Sequence, residues 1–245
     1  MKIILCGYHW TGCDALRQLL NANHEVFVYT HEAPNFIPSL SSYCEKTQTS
    51  YSLENISRSK LPFKPDVIAS IYYRHMIKKP VIDACERRIF NLHPSLLPRY
   101  RGCSSLTWAM INGEAQAGFS YHFVDEGCDT GNIIIQQAID IEDFDSQATL
   151  YQRVGFMAMS RFSEVLELVL SGTTGRVQVG TPSYYRRGCP HDGKIDMTWP
   201  TDMIERFIRA MDYPPYPSAT LNGRPVRSLS EFREQMFEQV SREAA

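Results

Sequence analysis

No Cys-x-x-Cys pair occurs in this chain, although it carries seven cysteines. Cys6, Cys13, Cys44, Cys85, Cys103, Cys128 and Cys189 are odd in number and scattered. That pattern excludes a disulfide framework and a zinc site, and predicts reduced thiols in a cytoplasmic protein. There is no G-x-G-x-x-G stretch either. After the first apolar run comes Gly7-Tyr8-His9-Trp10-Thr11-Gly12, with aromatic and polar residues in place of glycines, so neither NAD nor FAD is expected. Long apolar runs are missing. The N-terminal run ends by Tyr8, too short for a signal peptide or a membrane span. Charge of one sign is not in excess: 25 Lys and Arg against 27 Asp and Glu leave a net charge of -2. The basic face that nucleic-acid binding requires is therefore not expected. No repeat, low-complexity tract or cluster of metal-ligand spacing is visible, and no metal is expected.

What is present is ordinary globular composition, 43% hydrophobic and 21% charged in 245 residues, enough for one large domain with a small appendage. Lys2 to Cys6 is a continuous apolar strand, as in a parallel sheet buried on both faces. A turn over Gly7–Gly12 leads to helical spacing from Cys13 to Asn21 and a second strand, Glu25 to Tyr29. That turn is either a ligand loop at a strand end or a turn with Trp10 packed as core. Thr30 to Pro65 is irregular and polar, with weak helical or strand stretches and a short helix or loop over Ser52–Ser57. Val67 to Tyr72 and Ile89 to Leu92 are further strands, separated by a short helix over Lys79–Arg87. Ser105 to Asn112 is a helix closed by Gly113. Ala117–Phe123 and Ile133–Ile139 flank a Gly-rich acidic loop, which reads as a hairpin. Ser146 to Leu170 reads as one long helix. From Gly172 the composition shifts, which places a boundary near residue 180. Beyond it follow a helix over Thr201–Met211, a hairpin around Asn222-Gly223 and a charged helical tail, Ser230 to Ala245. The fold class is α/β: a Rossmann-like, mostly parallel sheet flanked by helices over 1–180, and a small hairpin-and-helix region over 181–245.

The stretch Asn91-Leu92-His93-Pro94-Ser95-Leu96-Leu97-Pro98-Arg99-Tyr100-Arg101-Gly102 stands out. Its two prolines break any helix or central strand and make a stiff loop at a strand end. Asn91 and His93 are two apart, so in extended backbone their side chains share a face. An amide beside an imidazole on rigid backbone suits acyl transfer. The competing reading is a proline-rich surface loop with a solvated His.

A second loop, Asp125-Glu126-Gly127-Cys128-Asp129-Thr130-Gly131, follows in the hairpin. Together, Asn91-x-His93, Ser95-Leu96-Leu97-Pro98-x-Tyr100-Arg101-Gly102 and Asp125-x-Gly127-x-Asp129-Thr130-Gly131 resemble the folate-dependent formyltransferases. The resemblance runs from Lys2 to about Trp199. Tyr8-His9-x-x-Gly12-Cys13, Tyr72 to Ile77 and Asp192 to Asp196 are similar to its nucleotide-sugar branch. It implies a catalytic trio of Asn91, His93 and Asp129, with N10-formyltetrahydrofolate as formyl donor and no metal. His93, with an ordinary pKa near 6.5, would take the amine proton. Asn91 would face the oxyanion, and Asp129 would orient His93. The resemblance further implies folate contacts at His75, Met76 and Ile77 and at Asp125, Glu126, Gly127, Cys128 and Asp129. For the sugar nucleotide we expect Trp10, Arg74 and the cluster Tyr184, Tyr185, Arg186 and Arg187, since aromatic faces suit a base and guanidiniums suit phosphates. The alternative is that the tyrosines pack as core and the arginines are solvated. Cys103 stands where several relatives have Arg, and Trp199 follows Asp196 at a spacing unlike the family's Asp-Trp pair. The expected acceptor is dTDP-4-amino-4,6-dideoxyglucose, for surface polysaccharide such as O-antigen. GDP-perosamine, UDP-4-amino-4-deoxyarabinose, a dTDP-3-amino sugar, or a non-catalytic sugar-nucleotide-binding module remain open. A homodimer through the Asn222-Gly223 hairpin is also expected, with no nucleic-acid or membrane partner.

Overall fold

Ile3, Ile4, Leu5 and Cys6 are fully buried. An unbroken apolar strand with no solvent face belongs at the centre of a parallel sheet covered on both sides. That is the position of β1 (Lys2–Gly7) in the computed structural model, which describes residues 1–86 and 88–243. Parallel to it run β2 (Glu25–Tyr29), β3 (Tyr51–Ser52), β4 (Val67–Ile71) and β5 (Ile89–His93). The short β6 (Arg101–Gly102) leaves the sheet. β7 (Gln116–Phe123) rejoins it antiparallel to β5, and β8 (Ile133–Asp140) pairs antiparallel with β7, giving a seven-stranded sheet of order β3-β2-β1-β4-β5-β7-β8.

Helices α1 (His9–Asn21), α2 (Leu40–Lys46), α3 (Lys79–Ala84), α4 (Ser105–Ile111), α5 (Gln147–Ser160) and α6 (Phe162–Leu170) cover the sheet. Most of them share the larger apolar core, while Val81 and Ile82 of α3 pack with Ile4 and Ile68 in a second, smaller core. The expected helix over Lys79–Arg87 ends at Ala84, and Arg87 lies outside the described residues. Thr30 to Pro65 holds α2, β3 and a 3-10 turn at Ile56–Arg58.

Two further expectations are corrected. Gly7–Gly12 is not a free turn, because α1 already begins at His9. A Cβ on Gly12 would meet Leu40 at 3.0 Å and the Gly7 backbone at 3.2 Å, so this glycine lets helix and strand meet closely. Ser146–Leu170 is not one helix. Arg161, at φ -102 and ψ 0, separates α5 from α6 while the buried apolar series Ala158, Phe162, Leu166 runs on through the break.

Beyond residue 180 lie β9 (Tyr184–Tyr185), which pairs with β6, then α7 (Thr201–Ala210) and the hairpin β10 (Ala219–Leu221) and β11 (Arg224–Val226). Asn222 at φ 50 and Gly223 at φ 80 form its positive-φ turn. The helix α8 (Leu229–Glu243) closes the described chain, and residues 244 and 245 of the expected tail lie outside it. The core does not divide at residue 180. Phe207, Leu221, Val226 and Phe232 belong to the same buried cluster as Leu16, Phe119 and Leu150. No described helix is long and apolar enough to cross a membrane.

Candidate active site

Strand β5 carries Asn91 and His93 on one face, as period-2 geometry requires. His93 is 4% exposed. Its Nε2 lies 2.8 Å from the carbonyl oxygen of Tyr100. A carbonyl only accepts, so Nε2 bears the hydrogen and Nδ1 is the basic nitrogen of the neutral ring. Nδ1 faces Asp129 Oδ2 at 3.6 Å. Protonation at Nδ1 would therefore leave both ring N–H groups directed at oxygens. Burial pushes the His93 pKa below its ordinary value, with Asp129 and the Tyr100 carbonyl pulling the other way.

Asn91 is fixed from both sides. Its Oδ1 accepts from the Ser70 hydroxyl at 2.8 Å, and its Nδ2 lies 3.2 Å from His122 Nε2. His122 donates from Nδ1 to the Phe123 carbonyl at 2.7 Å, which leaves Nε2 to accept from the Asn91 amide. One Asn91 hydrogen is thereby committed, and the second is free for an oxyanion.

Asp129 comes from the β7–β8 turn, at φ 54. Its Oδ2 accepts from the Gly102 backbone N–H at 2.8 Å, and its Oδ1 lies 3.5 Å from His122 Nε2. Burial alone would raise the Asp129 carboxyl, but His93 opposite it and the Gly102 N–H hold it well below the usual carboxylate range. Gly102 is required here: at φ 92, a Cβ would lie 2.2 Å from the Tyr185 carbonyl oxygen.

These groups open on a cleft of about 840 Å³ at the carboxyl ends of β1 and β4. That volume is in the range of small-molecule sites. His75, Met76, Ile77, Asp125, Gly127, Cys128 and Asp129 all line it, as do Arg74 and Arg187. The Arg187 guanidinium donates to the Arg74 carbonyl at 3.4 Å. Five expected residues lie elsewhere. Glu126 is outside the cleft lining and lies 3.5 Å from Lys79. Trp10, in the first turn of α1, packs on Phe156 of α5 with ring centroids 4.7 Å apart. Tyr184 accepts a hydrogen bond from Arg101, and Tyr185 stacks on Trp108 at 4.6 Å and Tyr100 at 5.5 Å. The β6–β9 pairing turns both tyrosines into supports of the loop that follows β5. Arg186 is exposed, outside the cleft lining.

Tyr8, from the loop expected to be either ligand-binding or a turn, lines the cleft; His31, Tyr216, Gln147 and His122 were not anticipated. Tyr8 stacks on His31 at 4.0 Å, and Tyr216 and Gln147 complete the far wall. Burial, then Arg74, His75 and Arg187, push His31 down to about 4. His122 is the most consequential addition, because it holds Asn91. Its signal is cross-strand: in the antiparallel register Asn91 faces His122.

The formyl transferase family model matches residues 12–166, a stretch that includes Asn91, His93, His122 and Asp129. The chain belongs to the formyl transferase family. Over 159 residues the chain is 45% identical to GDP-perosamine N-formyltransferase from Brucella melitensis biotype 1. That stretch is 65% of this chain and 61% of the Brucella protein, so the chain spans less than two thirds of that relative. An N-formyltransferase from Helicobacter canadensis, solved with folinic acid and dTDP-3-aminofucose, superposes with a TM-score of 0.80 at 22% identity, over 93% of this chain and 86% of that one. A 4-N formyltransferase from Francisella tularensis superposes with a TM-score of 0.76 at 21% identity, over 92% and 95%. At these identities the likeness to solved structures is one of fold.

Proposed function

We propose that this formyltransferase moves a formyl group from N10-formyltetrahydrofolate to the amine of a nucleotide-linked amino sugar. The observation that carries the reading is the convergence of Asn91, His93 and Asp129 on one cleft. The donor fits the half of the cleft lined by Ile77, Val124 and Gly127, where apolar side chains face a backbone-rich turn. When bound there it supplies the activated formyl group. On the other side, Arg74 and Arg187 are positioned for a diphosphate, and the Tyr8–His31 stack offers an aromatic surface.

His93 accepts at Nδ1 the proton that the attacking amine sheds, and the Asp129 carboxylate stabilises the imidazolium so formed. Asn91 offers its free Nδ2 hydrogen to the negative charge that grows on the formyl oxygen. Such a donor is worth about 3 kcal/mol of barrier. The His93 Nδ1–H then returns a proton to the leaving nitrogen.

The sugar expected from the sequence is dTDP-4-amino-4,6-dideoxyglucose. The Brucella relative supports a second acceptor, GDP-perosamine, which is also a 4-amino-4,6-dideoxyhexose. Either product would serve surface polysaccharide such as O-antigen. We place the enzyme in the cytoplasm, where nucleotide sugars are made, as a homodimer. The test is incubation with N10-formyltetrahydrofolate and a panel of dTDP-, UDP- and GDP-linked 3- and 4-amino sugars, read by mass spectrometry. We expect the mass of one formyl group added to a 4-amino sugar. Transfer to none of the panel would sink the reading. His93→Asn is expected to abolish turnover while calorimetry shows nucleotide-sugar binding intact; lost binding would make His93 structural.

A further inference from the structure

Between α6 and β9 the chain runs as an extended strap over the ends of the catalytic loops. Arg176, Val177 and Val179 are exposed, while Gln178 between them is half-buried and turned inward. Backbone bonds between Arg176 and Ile133, 2.8 Å in each direction, anchor one end of the strap. At the other end, Ser183 accepts from the Tyr100 N–H through its hydroxyl at 2.8 Å.

Both polar atoms of the Gln178 side chain are engaged. Its Nε2 donates to the carbonyls of Asp129 and Gly131, each at 2.8 Å. Its Oε1 accepts from Arg101 Nε at 3.2 Å and Nη2 at 2.5 Å. Arg101 is 8% exposed, and among the described residues no carboxylate pairs with it. One amide therefore bridges the two loops that meet at the site, one following the Asn91–His93 strand and the other bearing Asp129.

Asp129 needs such a hold. It sits at φ 54, a conformation that residues other than glycine rarely adopt, and nothing covalent keeps it there. Its carboxylate must face His93 Nδ1 for the proton transfer described above. Gly102 fixes one carboxylate oxygen, and Gln178 fixes the carbonyl of the same residue.

We propose that Gln178 is a positioning residue of the formyl-transfer site, holding the Asp129 turn to the Arg101 loop so that the carboxylate stays opposite His93. The assignment rests on the formyl-transfer reading. Gln178→Glu and Gln178→Leu separate its two links. Glu keeps acceptors for Arg101 but has no hydrogen for the Asp129 and Gly131 carbonyls. Leu removes both links.

The expected result is a fall in kcat of about 10- to 100-fold in both variants, with KM for donor and acceptor within about threefold of wild type. A readout independent of turnover is the titration of His93 in histidine-labelled protein, followed by NMR. The charged and titratable groups facing that ring are Asp129, His122 and Arg101. Gln178→Leu weakens the pull of Asp129, so the His93 midpoint should move to lower pH. Wild-type kcat in Gln178→Glu, or an unchanged His93 midpoint in a folded Gln178→Leu, would overturn the proposal. Failure of both variants to fold would make Gln178 a structural residue and overturn it as well. If the wild-type protein formylates nothing, the formyl-transfer reading fails on its own, and the His93 midpoint still decides whether Gln178 holds Asp129.

Discussion

With Nε2 given to the Tyr100 carbonyl, the His93 ring has one nitrogen left for chemistry, and Asp129 stands opposite it. The sign of the pH dependence follows. His93 must be neutral to accept a proton, and burial lowers its pKa, so the acidic limb of kcat/KM should lie below pH 6.5. Asp129 is held well below the usual carboxylate range and stays ionised throughout that limb. A pH–rate profile with its acidic midpoint above 7 would contradict this. The amide of Asn91 depends on His122, so His122→Leu should lower kcat about tenfold or more with little change in KM, in steady-state kinetics at saturating donor. Equal kcat in that variant would show that Asn91 orients itself. Asn91 and His93 were legible in the sequence because they are two apart and their shared face is local geometry. His122 was not, since it meets Asn91 only through strand pairing, and pairing partners are not written in spacing.

At the level of elements, the apolar runs announced β1, β2, β4 and β5 to within a residue or so, because strands buried on both faces leave a continuous pattern. The start of α1 was hidden. Gly7 and Gly12 look like turn residues but serve close packing, and Trp10 between them looks like a ligand contact but packs on Phe156. Trp10→Ala should therefore cost about 2 kcal/mol in denaturant unfolding, less than the ~3–5 of a fully buried aromatic because the ring is only partly buried. KM for the acceptor should stay within about twofold. A large rise in KM with unchanged stability would return Trp10 to the substrate site. Tyr184 and Tyr185 misled in the same way: an aromatic-arginine cluster signals a ligand in sequence, yet β6–β9 pairing spends both rings on Arg101, Tyr100 and Trp108.

Across the whole molecule, a shift in composition near residue 180 suggested a division that the packing does not observe. Phe207 and Phe232 share a core with Leu16 and Phe119, so the region after 180 completes the main hydrophobic layer. It also supplies β9, which braces the loop that follows β5, and Arg187 and Tyr216, which wall the cleft. Composition cannot reveal this, because it records what a segment is made of and not what it leans on. The seven cysteines are free thiols, and Cys6, Cys44 and Cys85 are buried.

The antiparallel turn-back at β7 also bears on how the protein folds. His122 and Asp129 sit in one local hairpin, whereas Asn91 and His93 arrive on a strand that must first find β4. Closing a short loop costs little chain entropy, and parallel pairing across a helix costs more. Half of the site is thus a local structure, and the other half is a long-range one. In pulsed hydrogen exchange during refolding, the amides of β7 and β8 should become protected before those of β5. Simultaneous protection would mean that the hairpin waits for the sheet. If it does not wait, the last event in folding is the docking of Asn91 and His93, and catalytic competence marks completion of the native state.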